Sequence, residues 1–327
     1  MRIKHIQIIS LVLLSILIAS CSTSDDTLED IVTEQGDLNN EEEQEQQETS
    51  TDPNDDNEDG EGQTTDPLSA LVMTDVSYGD NLQQVYDIYL PEGRDNTKTK
   101  IIILIHGGGW TSGDKSGMQD FVNFFLENHP DHAIVNMNYV LAAPFGPTAF
   151  PNQYLNIEAV INQITEQQEE LRVLPEFGFL GASAGAQLAM MYDYTYDTED
   201  IVKFVVDIVG PSDFTDPFFT QDPGFPLLLN LLVDLSQFPT GTDLVVANSP
   251  ALVANSTSSP TLLFYGNEDP LVPLTNGEVL DNELEELGIP HEFTVYDGGH
   301  GNDWSEEDIL DLQFKTSSYV DTYLVIE

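Results

Sequence analysis

The chain has 327 residues, and 40% of them are apolar, which is enough for the core of a folded domain. Its 58 acidic residues outnumber nine basic ones and give a formal net charge of −49. This balance argues against a nucleic-acid-binding protein, because phosphate backbones are recognised mainly through Lys and Arg. The single cysteine, Cys21, excludes an intrachain disulfide.

The first 20 residues have the parts of a secretory signal peptide. Arg2 and Lys4 form a positive start, and an apolar stretch of about 14 residues, 6–19, follows. That stretch is shorter than the roughly 20 residues that a membrane-spanning helix needs, and small residues precede a candidate cleavage site. Segment 18–21, which ends at Cys21, resembles a bacterial lipobox. The resemblance implies cleavage before Cys21 and a diacylglycerol on its thiol. An ordinary secretory signal and an uncleaved anchor helix are the alternatives.

Residues 21–66 form a second compositional region. Segment 22–66 contains 18 acidic residues, no basic residue and almost no apolar content. Such a segment buries too little apolar surface to offset the entropy lost on ordering, so we expect a disordered acidic tether. Acyl chains on Cys21 would attach this tether to a membrane. The expected location is the envelope of a bacterium, at the outer membrane or cell surface, and the expected folded domain is 67–327.

From residue 72 onward, strand-like and helix-like segments alternate, which favours a mostly parallel sheet with helices on both faces. Continuous apolar stretches are typical of strands buried on both faces, and amphipathic spacing indicates helices. The predicted strands are Val72–Tyr78, Val85–Leu90, Ile101–Ile105, Ala133–Met137, Phe177–Leu180, Phe204–Val209, Thr261–Tyr265 and Glu292–Tyr296, and the predicted helices are 117–128, 154–171, 278–287 and 307–323.

One segment interrupts this alternation, around residues 213–246. It is rich in Phe, Leu and Pro and lies between two predicted strands. A small cap inserted at this point and ordinary packing of helices and loops are both consistent with its composition.

A strained turn is predicted where the strand ending at Leu180 meets a helix-compatible stretch. The five residues 181–185 have the pattern G-x-S-x-G, with Ser183 at the centre. In this pattern the serine lies on a sharp strand-to-helix turn, and the flanking glycines let two backbones pass closely. Chance supplies the pattern in roughly one chain in ten of this length. The strand before it and the helix after it make Ser183 a candidate nucleophile.

Three glycines, 107–109, follow the buried strand Ile101–Ile105, between His106 and Trp110. A serine that attacks an acyl carbon needs backbone N–H groups directed at the oxyanion that develops. Glycines leave such donors unobstructed. A flexible turn is the alternative, but the position of this loop before the candidate nucleophile favours the catalytic interpretation. We expect His106 to hold the loop by hydrogen bonds and to take no proton in the reaction.

A candidate acid and a candidate base follow the last two predicted strands. Asp269 comes after the strand Thr261–Tyr265, and His300 comes after the strand Glu292–Tyr296. Loops at the ends of neighbouring parallel strands can meet, and the order serine, acid, histidine is that of α/β-hydrolases. Glu268 and Asp303 are competing acids beside these positions. Asp269 ranks first because its spacing fits an acid at the end of a loop.

These motifs together resemble the hormone-sensitive-lipase-like and carbohydrate-esterase branch of the α/β-hydrolases, which includes bacterial acetylxylan and feruloyl esterases. The resemblance covers residue 72 to the C-terminus. It implies that the amides of Gly108, Gly109 and Ala184 form the oxyanion hole. Val140 and Asn156 depart from it, since relatives usually carry Arg and Asp there. The motifs are His106–Trp110, Gly181–Gly185, Gly210–Asp213, Ser249-Pro250, Asp269–Pro273 and Gly299–Gly301.

The expected chemistry is two-step acyl transfer with no metal or organic cofactor. The expected substrate is a carboxylic ester, either a small molecule or an acylated glycan, and the resemblance favours acetyl or feruloyl esters on polysaccharide. A general carboxylesterase or lipase is the close alternative, followed by an arylformamidase or serine peptidase. A glycan-binding surface module without catalysis is the alternative from another class, and it would be favoured by a missing triad residue.

Overall fold

Residues 68–326 are described by a computed structural model, and eight strands within them pair in one sheet. The predicted signal peptide, Cys21 and the acidic tether lie outside these residues. The strands are β1 (Leu71–Ser77), β2 (Val85–Leu90), β3 (Ile101–Ile105), β4 (Ala133–Met137), β5 (Phe177–Ala182), β6 (Val202–Ile208), β7 (Thr261–Gly266) and β8 (His291–Tyr296).

The order of the strands in the sheet is β1-β2-β4-β3-β5-β6-β7-β8. The hairpin of β1 and β2 is antiparallel, and β2 is antiparallel to β4, whereas every pairing from β4 to β8 is parallel. The predicted strands therefore all form, with ends that differ by at most two residues from the predicted ones. This architecture confirms the predicted α/β-hydrolase fold class.

Ten α-helices are described within residues 68–326, together with short 3₁₀ turns at Lys115–Met118 and Leu235–Gln237. None of the helices in this part of the chain is long and apolar enough to cross a membrane. The helices are α1 (Gln119–Asn128), α2 (Asn152–Glu166), α3 (Gln168–Leu171), α4 (Ala184–Thr195), α5 (Pro217–Thr220), α6 (Phe225–Leu232), α7 (Leu244–Ala247), α8 (Pro250–Val253), α9 (Leu274–Leu287) and α10 (Glu306–Tyr323).

The central strands are buried on both faces, as their continuous apolar sequences require. In β3, Ile101, Ile103 and Ile105 belong to a core that includes side chains of α2 and α4. The alternate residues Ile102 and Leu104 belong to a second core, with side chains of α1 and α10. Successive strand residues point to opposite faces, and burying each such side chain contributes about 1.5–3 kcal/mol. The two helical layers are thereby attached to one sheet.

Two of the predicted helices, 154–171 and 278–287, depart from the observed helices by more than two residues or by a break. The predicted helix 154–171 is divided at Gln167, whose ψ of 10° breaks the regular turn between α2 and α3. Helix α9 begins at Leu274, four residues before the predicted start, although it includes Asn276 and Gly277 near its beginning. Asn276 is fully buried, and its side-chain oxygen accepts hydrogen bonds from the amides of Ser212 and Asp213. These tertiary contacts outweigh its low helix propensity.

The two positions that depart from the family resemblance contact each other. The amide of Val140 donates a hydrogen bond of 2.8 Å to the side-chain oxygen of Asn156, and both residues are largely buried. The Asn156 amide group in turn donates to the carbonyl of Asn152. Val140 and Asn156 therefore form a neutral, hydrogen-bonded pair. The two departures from the family affect local packing at this point.

A buried carboxyl group lies in the sheet next to the site. Asp207 of β6 accepts hydrogen bonds from the Tyr265 hydroxyl, at 2.7 Å, and from the Gly210 amide, also at 2.7 Å. Burial raises the pKa of the Asp207 carboxyl from 3.8 to about 7. The folded protein therefore keeps a proton on Asp207 between about pH 4 and pH 7, where the unfolded chain has lost it.

We therefore expect Asp207 to make the wild-type free energy of unfolding fall as the pH rises from 4 to 7. Its stabilising contribution is complete below about pH 4 and is lost as the pH passes through about 7. In Asp207→Asn the amide can accept from Gly210 and donate to Tyr265 without titrating. The free energy of unfolding of the variant minus that of wild type should therefore increase, by the order of a few kcal/mol, as the pH rises from 4 to 7. Urea unfolding of both proteins at pH 4, 5.5 and 7.5 measures this difference, and parallel pH dependences would contradict it.

Candidate active site

Four loops of the site follow parallel strands, so they meet at one edge of the sheet. The glycine loop follows β3, Ser183 follows β5, Asp269 follows β7 and His300 follows β8. The fold thus brings together residues that are distant in the chain, such as Ser183 and His300, which are 117 positions apart.

Ser183 lies in a strained backbone conformation between β5 and α4. Its φ of 52° and ψ of −120° are unusual for a residue with a side chain, and such a conformation costs of the order of 1–3 kcal/mol. The Ser183 amide donates to the carbonyl of Ile208, at 2.7 Å, and the Ser183 carbonyl accepts from the amide of Ala186, at 3.0 Å. These bonds stabilise the turn and hold the Ser183 side chain at the start of the helix.

The two glycines of the pentapeptide are required by close backbone contacts. A Cβ atom on Gly185 would collide with the carbonyl oxygens of Ile105 and His106, and one on Gly181 would collide with the backbone of Ala186. The glycine loop and the turn that carries Ser183 therefore pack backbone against backbone. This arrangement agrees with the steric reason for the glycines given by the sequence.

Hydrogen bonds connect Ser183, His300 and Asp269 in one chain. His300 Nδ1 lies 2.6 Å from Asp269 Oδ2, and His300 Nε2 lies 2.8 Å from Ser183 Oγ. A carboxylate accepts the Nδ1 proton, which leaves Nε2 as the acceptor for the serine hydroxyl. The Asp269 side chain has no exposed surface. Its second oxygen accepts from the amides of Leu271 and Val272, at 2.7 and 3.0 Å, and these bonds fix its orientation.

The competing acids have other positions. Glu268 is exposed, and its backbone amide donates to the carbonyl of Gly298. Asp303 accepts a hydrogen bond of 2.9 Å from the amide of Gly299, so it stabilises the loop that carries His300. Of the three candidate acids, Asp269 is the one that contacts the histidine.

The acid loop and the base loop are also bonded to each other through Asn267. Its side-chain amide donates to Asp297, at 3.0 Å, and its side-chain oxygen accepts from the amide of Gly298, at 3.1 Å. Sequence reasoning did not identify Asn267. Its position between Gly266 and the candidate acid was the available signal.

Of the three predicted oxyanion donors, two line the cavity and one does not. Gly109 and Ala184 line the same cavity as Ser183, and within residues 68–326 their amides donate to no other group. Gly108 has a φ of 122°, and its carbonyl accepts from the amide and hydroxyl of Ser112, at 3.0 and 2.8 Å. Gly108 therefore shapes the loop. Its role as a third donor stays a prediction.

His106 stabilises the glycine loop. Its ring stacks on Tyr139 with centroids 4.3 Å apart, and its Nδ1 lies 2.7 Å from the Gly107 carbonyl. The Tyr139 hydroxyl donates to the His106 carbonyl at 2.9 Å. Burial lowers the pKa of the His106 imidazole. The neutral ring agrees with the expected structural role.

A buried polar network that sequence reasoning missed supports the wall of the site. The Trp110 indole donates to Gln187 Oε1, at 3.0 Å, and Gln187 Nε2 donates to the Tyr154 hydroxyl and the Asn248 carbonyl, each at 3.0 Å. Gln187 lies in the first turn of α4, just after Ser183. The network therefore connects the glycine loop, helix α4 and residue 248. Residues so distant in sequence leave no local pattern.

An apolar cavity of about 220 Å³ opens beside Ser183. Residues 213–246 supply one side of its apolar wall, mainly through α5 and α6, which agrees with the interpretation of this segment as a small cap. The residues that line the cavity are Gly109, Trp110, Phe150, Ser183, Ala184, Pro211, Phe214, Phe218, Phe219, Asp222, Phe225, Leu228, Leu229, Leu232, Pro270, Leu271 and Val272.

The arrangement places a serine, a histidine, a buried carboxylate and two backbone N–H groups around one cavity. Acyl transfer requires groups of these kinds. Within the described part of the chain, no group of three or more His, Cys, Asp or Glu side chains is placed to hold a metal ion.

Comparisons with known proteins find a matching family model and several similar esterases. The model of the BD-FAE family matches residues 86–284. Arylacetamide deacetylase of Bos taurus is 26% identical over 157 residues, which are 45% of this chain and 39% of that protein. A non-reducing polyketide synthase of Aspergillus terreus is 28% identical over 188 residues, which are 54% of this chain and 8% of that protein. This chain therefore matches less than half the length of either of these curated relatives.

Solved structures share the fold. A truncated carbohydrate esterase from gut microbiota is 20% identical with a TM-score of 0.58, over 79% of this chain and all of that one. Esterase B from Lactobacillus rhamnosis is 19% identical with a TM-score of 0.59, over 78% of this chain and 89% of that one.

Proposed function

The chain belongs to the BD-FAE family, and on that premise we propose that it hydrolyses carboxylic esters by acyl transfer to Ser183. The observation that carries the proposal is the hydrogen-bonded chain of Ser183, His300 and Asp269, with distances of 2.8 and 2.6 Å, beside an apolar cavity. The names of the similar deacetylase and esterases support the same class of reaction.

In the first half of the reaction, His300 Nε2 removes the proton of Ser183 as Oγ attacks the ester carbon. Asp269 holds the Nδ1 tautomer and stabilises the imidazolium that forms. The amides of Gly109 and Ala184 donate to the oxyanion, with Gly108 as the further predicted donor. The imidazolium then protonates the leaving alcohol, and an acyl-enzyme remains.

In the second half, His300 removes a proton from water, which attacks the acyl carbon, and Ser183 Oγ leaves with the proton returned by His300. The strained turn at Ser183 and the buried carboxylate of Asp269 are held by hydrogen bonds within the protein. Little reorganisation is then needed at the moment of reaction.

Two classes of ester fit this proposal. Acetyl or feruloyl esters on polysaccharide are supported by the similarity to a carbohydrate esterase. Esters of apolar acids, the substrates of a general carboxylesterase, are supported by the apolar wall of the cavity, which includes Phe214, Phe225 and Leu232. Between an acetyl ester and an ester of a larger apolar acid, the cavity favours the second, because an acetyl group would leave most of that wall without contact.

A fluorophosphonate probe tests the nucleophile directly. We expect the probe to add one phosphonyl group to the peptide that contains Ser183 and to abolish hydrolysis of p-nitrophenyl butyrate in parallel. Intact-mass and peptide mass spectrometry measure the adduct. Labelling at another residue, or full activity after labelling, would contradict the proposed role of Ser183.

We also propose that the protein is lipid-anchored in a bacterial envelope through Cys21, as the signal-like residues 1–20 and the acidic segment 22–66 suggest. Incorporation of radiolabelled palmitate that is lost in Cys21→Ala would support the anchor. Equal labelling of both proteins would contradict it.

A further inference from the structure

The apolar cavity is positioned to hold the acyl part of an ester. The leaving alcohol must lie within reach of His300 Nε2 to receive its proton. His300 is not part of the described lining of the cavity, whereas Ser183, Gly109 and Ala184 are. The side of the ester that enters the cavity is therefore the side that stays bound to Ser183.

The cavity is larger than a small acyl group needs. An apolar protein cavity of about 150 Å³ is large enough to bind benzene, and this one is about 220 Å³. Its inner wall consists of side chains that are at most 8% exposed, among them Phe150, Phe214, Phe225 and Leu232. An acyl group of about six to ten carbon atoms would replace water on this wall, and the burial of each of its CH₂ groups favours binding.

One carboxylate lies among the apolar side chains that line the cavity. Among the residues that line the cavity, Asp222 is the one with a charged side chain. Its Oδ1 accepts from the amide of Gly224, at 2.7 Å, and this bond holds the side chain in place between α5 and α6. No arginine or lysine lines the cavity, so a negative group that entered would have no cation to pair with.

We propose that the cavity selects esters of uncharged apolar acids of roughly hexanoyl to decanoyl size and that Asp222 excludes acyl groups that carry a carboxylate. This inference rests on the proposed function, because it assigns the acyl specificity of the same site. It makes Asp222 a specificity-determining residue without a part in the chemistry.

The test compares 4-methylumbelliferyl esters that share one alcohol and differ in the acyl group. We expect kcat/KM for the hexanoyl ester to exceed that for the acetyl ester by at least about tenfold. The adipoyl ester, whose far end is a carboxylate, should be slower than the hexanoyl ester by about a hundredfold. In Asp222→Asn the ratio of adipoyl to hexanoyl rates should rise roughly tenfold.

Asp234→Asn is the matched control. Asp234 lies in the same cap segment, and its side chain accepts from the amide of Ser236 as that of Asp222 does from Gly224, but it does not line the cavity. The control should leave the adipoyl-to-hexanoyl ratio unchanged. Equal ratios in wild type and Asp222→Asn, or an acetyl ester as good as the hexanoyl ester, would overturn the proposal.

A binding measurement separates this proposal from the proposed function. The chain has two tryptophans, so Trp110 of the cavity wall is the remaining fluorophore in Trp304→Phe. In the Ser183→Ala background, methyl hexanoate should shift its fluorescence and monomethyl adipate should not. That result would support the cavity assignment even if no ester were hydrolysed, and equal responses to both ligands would overturn it.

Discussion

Ser183→Ala is expected to lower kcat for ester hydrolysis by about a millionfold, the loss found when a serine hydrolase loses its nucleophile. The variant keeps the oxyanion amides and the cavity but has no atom to form the acyl-enzyme. Alanine adopts the positive φ of 52° at the same cost as serine, so the fold should be unaffected.

Single-turnover and steady-state kinetics with p-nitrophenyl butyrate measure this loss, with thermal melting as the check on folding. The variant should also show no burst of p-nitrophenol. A residual rate within about a hundredfold of wild type, in a protein that melts normally, would show that another group is the nucleophile.

Asp269→Asn is expected to reduce kcat by about ten-thousandfold while the backbone remains unchanged. The amides of Leu271 and Val272 require an oxygen acceptor at the position of Asp269 Oδ1. The asparagine must therefore direct its NH₂ group at His300 Nδ1, which then has to be the unprotonated nitrogen. The proton moves to Nε2, and His300 can no longer accept the proton of Ser183.

The neighbouring acid supplies the matched control. Glu268→Gln changes an exposed carboxyl one residue away, and its backbone bond to Gly298 is retained. Its kcat should stay within about twofold of wild type, as for a surface substitution away from the site. The opposite ranking of the two variants would overturn the assignment of Asp269 as the triad acid.

The sequence alone was sufficient to locate the strands whose ends carry the site. A strand such as β3 is buried on both faces, so it appears as an uninterrupted apolar stretch in the sequence. The glycines at 181 and 185 were also readable, because a backbone contact that admits no Cβ atom permits one residue type. The candidate residues Ser183, Asp269 and His300 followed from their positions after such strands.

The spacing of the sequence ranked Asp269 first, but the exclusion of Glu268 and Asp303 depended on the tertiary structure. All three lie in loops beside the histidine, and which one reaches it is decided by the pairing of β7 with β8 and by the amides that orient each side chain. A local pattern carries no information about that pairing.

The existence and shape of the cavity also depended on the tertiary structure. The sequence shows that segment 213–246 is apolar, but a small cap and ordinary packing of helices and loops are both consistent with that composition. Its wall combines Trp110, Phe150, α5, α6 and the residues after Asp269, which are distant in sequence. Sequence periodicity reports which face of an element is buried, whereas a cavity is a gap between elements, and its shape exists only once they have packed.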